Sequence, residues 1–530
     1  MLLANFMRRT GAESIGGLLL LLSLPGYAQL VDKHRMPNTA NEGINKSLVE
    51  EIGQGRGFET LPDSSMYIIK RDPFRAVRRG RQLFQRKFVR AEGQGRAKFD
   101  GDQSIDVNNA LGAGLADSCA SCHGRPRGSA GSGGDVATRP DSRDAPHLFG
   151  LGLKEMLADE ISADLRTIRT RALVQAKQGG LSVTMALSSK GISYGSITAK
   201  PDGGVDTSQV VGVDPDLRVR PFFAHGGTIS IREFVVGALN NEMGLQAVEP
   251  GLMRASMGAR IETPAGMILD GSLDKIEAPV TMDPSADPDG DGVVNEIPES
   301  VVDFLEFYLL NYFKPAQGEQ TDNTRHGRQL MDSVGCTSCH VGNLQINRDR
   351  RVADVETVFD PVNGIMNRLF ATAKSLIAAF DDLTGLSTMK VPAMQPFLVS
   401  NIFTDFKRHD LGPNFHERNY DGTMQQFFLT TPLWGVASTA PYGHDGRSNT
   451  LHEVILRHGG EAQLARDNYA GLSRNDQRDL LDFLGSLVLF PPDDTASNLD
   501  PGNPSARGFP QAGHGSIKLT VLFNDPADIE

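Results

Sequence analysis

The spacing of apolar residues along the chain predicts mainly helices. Apolar positions recur every three or four residues in several long segments, which is the period of a helix with one buried face. These segments are Leu153–Lys177, Ile231–Leu239, Val301–Phe313 and Val362–Phe380. A further amphipathic helix is expected after Ser473, a typical N-cap residue, with Leu480, Leu481, Phe483, Leu484 and Leu487 on its apolar face. Few stretches look like strands, so we predict an all-α fold.

Other stretches show no helical period. Residues Ser188–Asp214 are rich in Gly, Ser and Asp. Residues 491–530 are rich in Pro, Asp and Gly and are expected to form an irregular tail. The apolar segment Val362–Phe380 is expected to be a packed core helix. Lining an apolar substrate channel and touching a membrane remain alternatives for it.

The first 28 residues have the pattern of a secretory signal. Arg8 and Arg9 precede an apolar stretch from Ile15 to Leu24, and small residues place a cleavage site after Ala28. Ten helical residues rise roughly 15 Å, half the thickness of a bilayer core, so an uncleaved anchor is the less favoured alternative. We expect an exported protein of the periplasm, without a stable membrane span.

Composition narrows the class of protein. The 530 residues are 39% apolar and 22% charged, which is typical of a globular chain with two to four domains. The net charge is −12 and the basic residues are scattered, so nucleic acid is not an expected partner. Only four cysteines occur, which excludes a scaffold built on disulfides.

All four cysteines lie in two Cys-x-x-Cys-His pentapeptides. Cys119, Cys122 and His123 form the first, and Cys336, Cys339 and His340 form the second. Two thiols at this spacing attach a c-type haem, and the adjacent histidine binds its iron. The alternatives are zinc sites or redox-active thiol pairs, which need close ligand pairs or a βαβ context that the sequence does not indicate. Two covalent haem c groups are therefore predicted.

A short repeat supports two haem domains. The tetrapeptide Gly-Arg-Gln-Leu occurs at Gly80–Leu83 and again at Gly327–Leu330, each time in a helix-like stretch ahead of a haem motif. The first copy is followed by an additional Gly-rich segment from about Ala91 to Asp117. The predicted organisation, with two cytochrome c-like domains, is a signal peptide (1–28), an N-terminal haem domain (29–320), a C-terminal haem domain (321–490) and a tail (491–530).

Most of residues 75–490 resemble the bacterial diheme cytochrome c peroxidase superfamily, in its di-haem oxidoreductase branch. The matching motifs are Leu111–His123, Pro146–Leu153, Ile231–Phe234, Asn241–Gly244, Thr404–Gly412, Thr431–Val436, Tyr442–Arg447, Thr450–Val454 and His458–Ala462. The resemblance implies a periplasmic enzyme in which one haem transfers electrons and the other meets the oxidant. A small redox protein, either a cytochrome c or a cupredoxin, would be the electron donor.

The resemblance also implies roles for single residues. His458 lies fourteen residues after His444 and corresponds to the distal ligand of the second haem, opposite His340. His444 itself is expected beside the haem rather than on its iron. Glu233 corresponds to the acid–base glutamate over the first haem, whose proximal ligand is His123. A helix C-cap is the alternative role for His458, and a solvated helix position is the alternative for Glu233.

Other residues near the first haem leave the reaction open. His147 and His225 are the histidines expected to approach this pocket, either as iron ligands or as ordinary core or surface residues. Superfamily peroxidases carry a Trp shortly before the glutamate, where this chain has Ala224, and Trp434 stands where they usually have Arg. Trp434 is expected near the second haem or in the core. Residues 232–234, Arg-Glu-Phe, resemble diheme dioxygenases of unsaturated fatty acids, with rubber oxygenases as more distant relatives.

An acidic loop indicates a possible calcium site. Asp287, Asp289, Asp291 and Asn295 occupy positions 1, 3, 5 and 9 of an EF-hand-like loop. Position 12 is Pro298, so a further carboxylate would have to come from Glu296, Glu299 or elsewhere. A solvated acidic loop without calcium is the alternative.

Three functions remain after these observations. The leading one is a periplasmic diheme c-type cytochrome oxidoreductase that is peroxidase-like, with electron transfer at the second haem and peroxide reduction or substrate oxidation at the first. The second is a dioxygenase that adds O₂ to an unsaturated lipid. The third is a non-catalytic electron-transfer cytochrome, which requires strong ligands on both faces of both haems.

Overall fold

The computed structural model describes residues 47–95, 116–123, 145–312, 314–362, 369–419 and 422–488. The predicted signal peptide, most of the Gly-rich segment before the first haem motif and the C-terminal tail lie outside the described residues. Within the described part of the chain, no helix is long and apolar enough to cross a bilayer.

Helices of very different lengths are spread along the chain. They are α1 (Leu48–Ile52), α2 (Ser65–Arg71), α3 (Pro73–Gln85), α4 (Cys119–His123), α5 (Leu151–Gly179), α6 (Ile231–Met243), α7 (Pro250–Ser256), α8 (Glu299–Leu310), α9 (Asp322–Ser333), α10 (Leu451–Arg457), α11 (Gln463–Ala470) and α12 (Arg474–Gly485). Short 3₁₀ turns lie at Arg90–Glu92, Cys336–Ser338, Val436–Ser438 and Gly460–Ala462. The periodic segments 153–177 and 231–239 are helical as predicted, and the predicted helix 301–313 is helical up to Leu310. The Ser473 hydroxyl caps α12 by accepting from Asp476 N–H.

The strands are short and pair in small antiparallel sheets. They are β1 (Val183–Ser189), β2 (Ile192–Ala199), β3 (Val205–Asp206), β4 (Arg260–Glu262), β5 (Ile268–Asp270), β6 (Ala316–Gln317), β7 (Leu344–Ile346), β8 (Ala353–Phe359), β9 (Leu369–Ser375), β10 (Ile377–Phe380), β11 (Met389–Pro392), β12 (Phe397–Val399), β13 (Arg408–Asp410), β14 (Glu417–Arg418), β15 (Met424–Gln425), β16 (Phe427–Leu429) and β17 (Leu487–Val488). One sheet has the order β1-β2-β3, and the others are two-stranded: β4-β5, β7-β12, β8-β9, β10-β11, β13-β16, β14-β15 and β6-β17.

The predicted all-α fold class is wrong. The described residues are 37% helix and 18% strand, so the fold is mixed α/β. The Gly-, Ser- and Asp-rich stretch Ser188–Asp214 forms part of the β1-β2-β3 sheet. Its first turn is Lys190-Gly191, where both residues have positive φ, as the tightest hairpin turns require.

The predicted helix at Val362–Phe380 is also wrong. Residues 369–375 form β9, which pairs with β8 over seven residues, and residues 377–380 form β10, which pairs with β11. Antiparallel pairing between strands that are neighbours in sequence therefore overrides the helical spacing of the apolar residues. The loop after β10 reaches the other half of the chain, where Asp382 forms an ion pair with Arg71 of α2.

Two helix pairs explain the repeated tetrapeptide. Gly80 of α3 lies so close to α8 that an added Cβ would stand 2.1 Å from the Phe304 carbonyl oxygen. Gly327 of α9 lies against α12 in the same way, with an added Cβ 1.9 Å from the Asp479 carbonyl oxygen. Each glycine lets two helix backbones cross closely. The two halves of the chain thus repeat one helix-crossing arrangement.

The two halves share buried cores. One cluster joins α3, α6 and α8 with β8, and a second joins α5 with residues around β7, β12 and Trp434. A third cluster packs α9 against α12. Residues from both halves of the sequence therefore surround the space between the two cysteine motifs.

Candidate functional site

Both Cys-x-x-Cys-His motifs open into a single cavity. Its volume is about 1310 Å³, larger than the roughly 300–1,000 Å³ of an ordinary small-molecule pocket. The lining includes all four cysteines and both motif histidines, His123 and His340. The cavity can therefore accommodate more than one large planar group.

The first motif forms the short helix α4. His123 at its end donates from Nδ1 to the carbonyl oxygen of Pro146, at 2.7 Å. A hydrogen bond at Nδ1 orients the ring and makes Nε2 the nitrogen that would bind a metal. The Phe234 ring of α6 packs edge-on to His123, with ring centres 6.4 Å apart.

The second motif repeats this arrangement. Cys336–Ser338 form a 3₁₀ turn, and His340 donates from Nδ1 to the Phe403 carbonyl oxygen at 3.1 Å. Burial lowers the pKa of His340, so its imidazole is neutral, the form that binds iron.

His458 faces the same end of the cavity. Its Nδ1 donates to the Val454 carbonyl oxygen at 2.7 Å, and burial lowers its pKa to about 4, with His340 among the nearby groups that add to the effect. Its backbone N–H caps the C-terminus of α10. His458 therefore both caps this helix and lies in the cavity. The structure therefore brings His340 and His458 together as neutral imidazoles.

A charged triad lies beside the second motif. His409 donates to Asp405 Oδ2 from Nε2 at 2.9 Å and to Glu461 Oε2 from Nδ1 at 2.7 Å. Although burial opposes the charge, Asp405, Cys339 and Glu461 raise the pKa of His409 to about 10. Asp405 follows Phe403, which holds His340, and Glu461 follows His458. The triad thus ties together the two segments that carry these imidazoles.

His444 is part of the cavity wall. Its ring stacks on Phe428 with centres 4.0 Å apart, and its Nε2 lies 3.0 Å from Glu417 Oε2. The ring also contacts Phe415, which packs edge-on against His458. His444 therefore lies in the same part of the cavity as His458, where it is expected beside the second haem.

Glu233 is buried in the first turn of α6 and lines the cavity. Its carboxylate accepts from Ser230 Oγ at 2.9 Å, from Ile229 N–H at 3.3 Å and from Glu277 N–H at 3.2 Å. Burial raises its pKa despite these hydrogen bonds. The alternative of a solvated helix glutamate is therefore wrong, and Glu233 can hold a proton at higher pH than a free glutamic acid.

His147 and Trp434 connect the two halves at the cavity. His147 donates from Nε2 to the Trp434 carbonyl oxygen at 2.8 Å and accepts at Nδ1 from Phe149 N–H. Both ring nitrogens are thus used, so His147 is a wall residue in this conformation. The Trp434 ring packs on Gly150, is buried in the core and also lines the cavity, and no described residue accepts a hydrogen bond from its Nε1. His225 lines the cavity near Phe223.

Several residues of the cavity wall have no role that the sequence motifs predict. Lys154 and Thr228 line the cavity together with the aromatic side chains Phe222, Phe223 and Phe234. Lys154 belongs to the periodic helix α5, and its spacing indicates only a helix position. His409 lies within the quoted motif Thr404–Gly412, whose spacing does not show that two distant carboxylates meet there.

The acidic loop is partly assembled. Oxygen atoms of Asp287, Asp289 and Asp291 lie within 4.8 Å of one another. Glu296 lies near this cluster: burial and the three aspartates raise its pKa to about 8, and its Oε1 is buried with no hydrogen-bond partner among the described residues. Glu299, the other candidate, pairs with Arg56.

The cysteines and histidines fit the haems that the sequence predicts. None of the four thiols is in a disulfide. Each motif presents two thiols and an oriented imidazole to the cavity. The second motif faces the neutral imidazole of His458, whose Nε2 is not used in a hydrogen bond within the described residues, whereas the neutral imidazole near the first motif, His147, has both ring nitrogens engaged.

Residues 369–487 match the family model described as "Di-haem oxidoreductase, putative peroxidase". The chain is similar to the di-haem oxidoreductases. This confirms the resemblance given by the sequence motifs, and the name of the family implies two haems. The matched segment includes His458, His409 and Trp434, and both Cys-x-x-Cys-His motifs lie before it.

Comparison with curated proteins finds no match. Among solved structures, a hydrazine synthase from Kuenenia stuttgartiensis is 15% identical, with 36% of this chain and 55% of that chain covered and a TM-score of 0.21. This chain thus spans about half the length of that one. A MauG-like protein associated with microbial copper homeostasis is 14% identical, with 63% and 87% covered and a TM-score of 0.21. At these scores neither likeness carries an argument about this chain.

Proposed function

We propose that this protein is an exported diheme c-type cytochrome oxidoreductase that is peroxidase-like. Cys119 and Cys122 would attach the first haem and Cys336 and Cys339 the second, with His123 and His340 as proximal iron ligands. The single cavity that joins both motifs is the observation that supports this proposal most directly. Haem iron supplies the electron-transfer and oxidant chemistry when bound.

The second haem is proposed to transfer electrons. His340 and His458 are both neutral and both donate from Nδ1 to a carbonyl oxygen, so each can offer Nε2 to iron. Two imidazole ligands leave no position for an oxidant. A small redox protein, a cytochrome c or a cupredoxin, is the proposed donor to this haem in the periplasm.

The first haem is proposed to be the reacting one. Glu233 lines this end of the cavity and its pKa is raised by burial, so it can keep a proton and deliver it to a bound oxidant. The hydrogen bonds from Ser230, Ile229 and Glu277 hold the carboxylate in place. His147 has both nitrogens engaged and does not compete for the iron.

The aromatic wall of this pocket favours a second candidate. Phe222, Phe223 and Phe234 pack on one another with ring centres 5.4–5.8 Å apart. Such an apolar wall suits an unsaturated fatty acid, so a dioxygenase that combines O₂ with such a lipid is the alternative activity.

We also propose calcium at the acidic loop. Asp287, Asp289 and Asp291 would bind it with Glu296, in place of the missing position-12 ligand. The buried Glu296 Oε1 without a partner is the observation that favours an ion over a solvated loop.

The proposed reaction is tested with haem-loaded protein, hydrogen peroxide and a reduced cytochrome c. We expect Glu233→Gln to lower peroxide turnover by about 10²-fold or more with both haems retained, since the amide cannot move the proton. Glu262→Gln, at an exposed position of β4, is the control and should match the parent. Equal rates for the parent and the Glu233 variant would remove Glu233 from the mechanism.

The same preparation separates the three functions. Sustained O₂ uptake with oleate and no reductant would indicate the dioxygenase, since a peroxidase consumes neither O₂ nor oleate. If the parent protein turns over neither substrate and binds neither cyanide nor carbon monoxide, it is an electron carrier instead.

A further inference from the structure

Lys154 is a charged residue at the first-haem end of the cavity. It lies in the first turns of α5 and is half-buried, and its ammonium stands over the Phe222 ring, 5.8 Å from the centre. Among the described residues, no carboxylate forms an ion pair with it. Two other lysines with little exposure each pair with a carboxylate: Lys190 with Glu160 at 2.6 Å and Lys314 with Glu356 at 2.5 Å.

The position is unfavourable for a cation. Burial lowers the pKa of Lys154 to about 8. Lys154 also stands near the positive end of the long helix α5, whose first turn contains no acidic residue and whose N-cap, Gly150, offers no capping side chain. The Phe222 ring compensates only part of this cost. An ammonium in such a place is stabilised by an anion in the cavity.

The residues around Lys154 indicate what kind of molecule carries this anion. The adjacent wall is apolar, formed by Phe222, Phe223 and Phe234, and Phe234 also contacts the proximal histidine His123. Thr228 Oγ1 is a buried hydroxyl in the same lining and has no hydrogen-bond partner in the described part of the chain. A ligand with a large apolar body and one carboxylate matches these groups.

We propose that Lys154 binds a carboxylate at the first-haem end of the cavity. Two molecules could supply it: a propionate of the first haem, or the head group of a fatty acid that lies along the aromatic wall. The proposal rests on the proposed function, because it places the first haem in this part of the cavity. It does not depend on which oxidant the haem uses.

The experiment compares Lys154→Met, Lys154→Arg and Lys177→Met in the haem-loaded protein. Lys177 is exposed in the last turn of the same helix and is the matched control. Resonance Raman spectra report the propionate bending modes of the haems. Titration with oleate and with oleyl alcohol, followed at the Soret band, reports binding of the lipid with and without its carboxylate.

Each source predicts a distinct result. If a propionate is the partner, Lys154→Met shifts a propionate mode and oleate binding is unchanged. If a fatty acid is the partner, Lys154→Met weakens oleate binding about tenfold or more with no effect on oleyl alcohol, and Lys154→Arg restores much of it. Lys177→Met should change neither the propionate bending modes nor the binding of oleate.

The proposal is overturned if Lys154→Met behaves like Lys177→Met in both measurements. Haem content, measured on the same samples, shows whether a variant has failed to fold, in which case Lys154→Arg carries the comparison. Neither measurement requires turnover, so loss of the carboxylate site and loss of the proposed peroxidase activity are seen separately.

Discussion

At the scale of single residues, the imidazoles around the second motif differ in charge. His340 and His458 are buried, and their pKa values are lowered, so they are neutral and their Nε2 atoms can bind iron. His409 stands between Asp405 and Glu461, and its pKa is raised to about 10, so it remains an imidazolium. Hydrogen-bond partners therefore decide which histidine can be a ligand and which holds the loops.

The proposed ligand role of His458 has a direct test. We expect His458→Ala to keep both haems but to open the second one, because the imidazole is lost and the covalent attachment is not. Ferric electron paramagnetic resonance should then show a new high-spin signal, and cyanide should bind the second haem. His326→Ala, at an exposed position of α9, should retain the parent spectrum. A parent-like spectrum for the His458 variant would exclude this axial assignment.

Single residues were predictable where chemistry is local. The Cys-x-x-Cys-His pentapeptides show their role through spacing alone, and Glu233 was selected through a short motif. Lys154 could not be identified in this way. Its environment depends on Phe222, which is distant in sequence, and on the absence of an acidic partner among the described residues. The triad around His409 was missed for the same reason, since Glu461 is 52 residues away.

At the scale of elements, close helix crossings at Gly80 and Gly327 support each haem motif. We expect Gly327→Ala to destabilise the holoprotein by about 3 kcal/mol, because the new Cβ would meet the α12 backbone at Asp479 and force the helices apart. Urea unfolding of the haem-loaded protein measures this. Gly485→Ala, where an added Cβ meets nothing within 4 Å, should stay close to the parent. Equal stabilities of the two variants would show that the crossing can relax.

Elements were predictable when they are long and stabilised within themselves. Helix α5 and the N-cap of α12 follow from the sequence, because period and capping are local. The strands β9 and β10 do not, because their apolar residues have helical spacing and their partners β8 and β11 are separate segments. The β1-β2 hairpin could have been found from the alternating residues around Lys190-Gly191.

At the scale of the whole molecule, the acidic loop connects distant parts of the N-terminal half. Glu296 accepts from Gln246 N–H after α6, and its carboxyl group packs on Gly93 before the first haem motif. We therefore expect calcium to raise the melting temperature. At a free calcium concentration of 100 times the Kd, binding stabilises the folded state by about 2.7 kcal/mol. Asp289→Asn should abolish this gain and Asp202→Asn, in an exposed turn, should not. An unchanged melting temperature of the parent with calcium and with EDTA would contradict the site.

The cavity that joins the two motifs also constrains how the protein is made. Burial raises the pKa of the Cys119 thiol to about 12 and that of Cys336 to about 11, so in the folded chain neither is an effective thiolate. Contacts such as His147 with Trp434 and β6 with β17 close the two halves around the cavity. The proposed thioether bonds are therefore best formed on an unfolded chain, so that maturation precedes folding and each haem becomes part of the core on which the chain then closes.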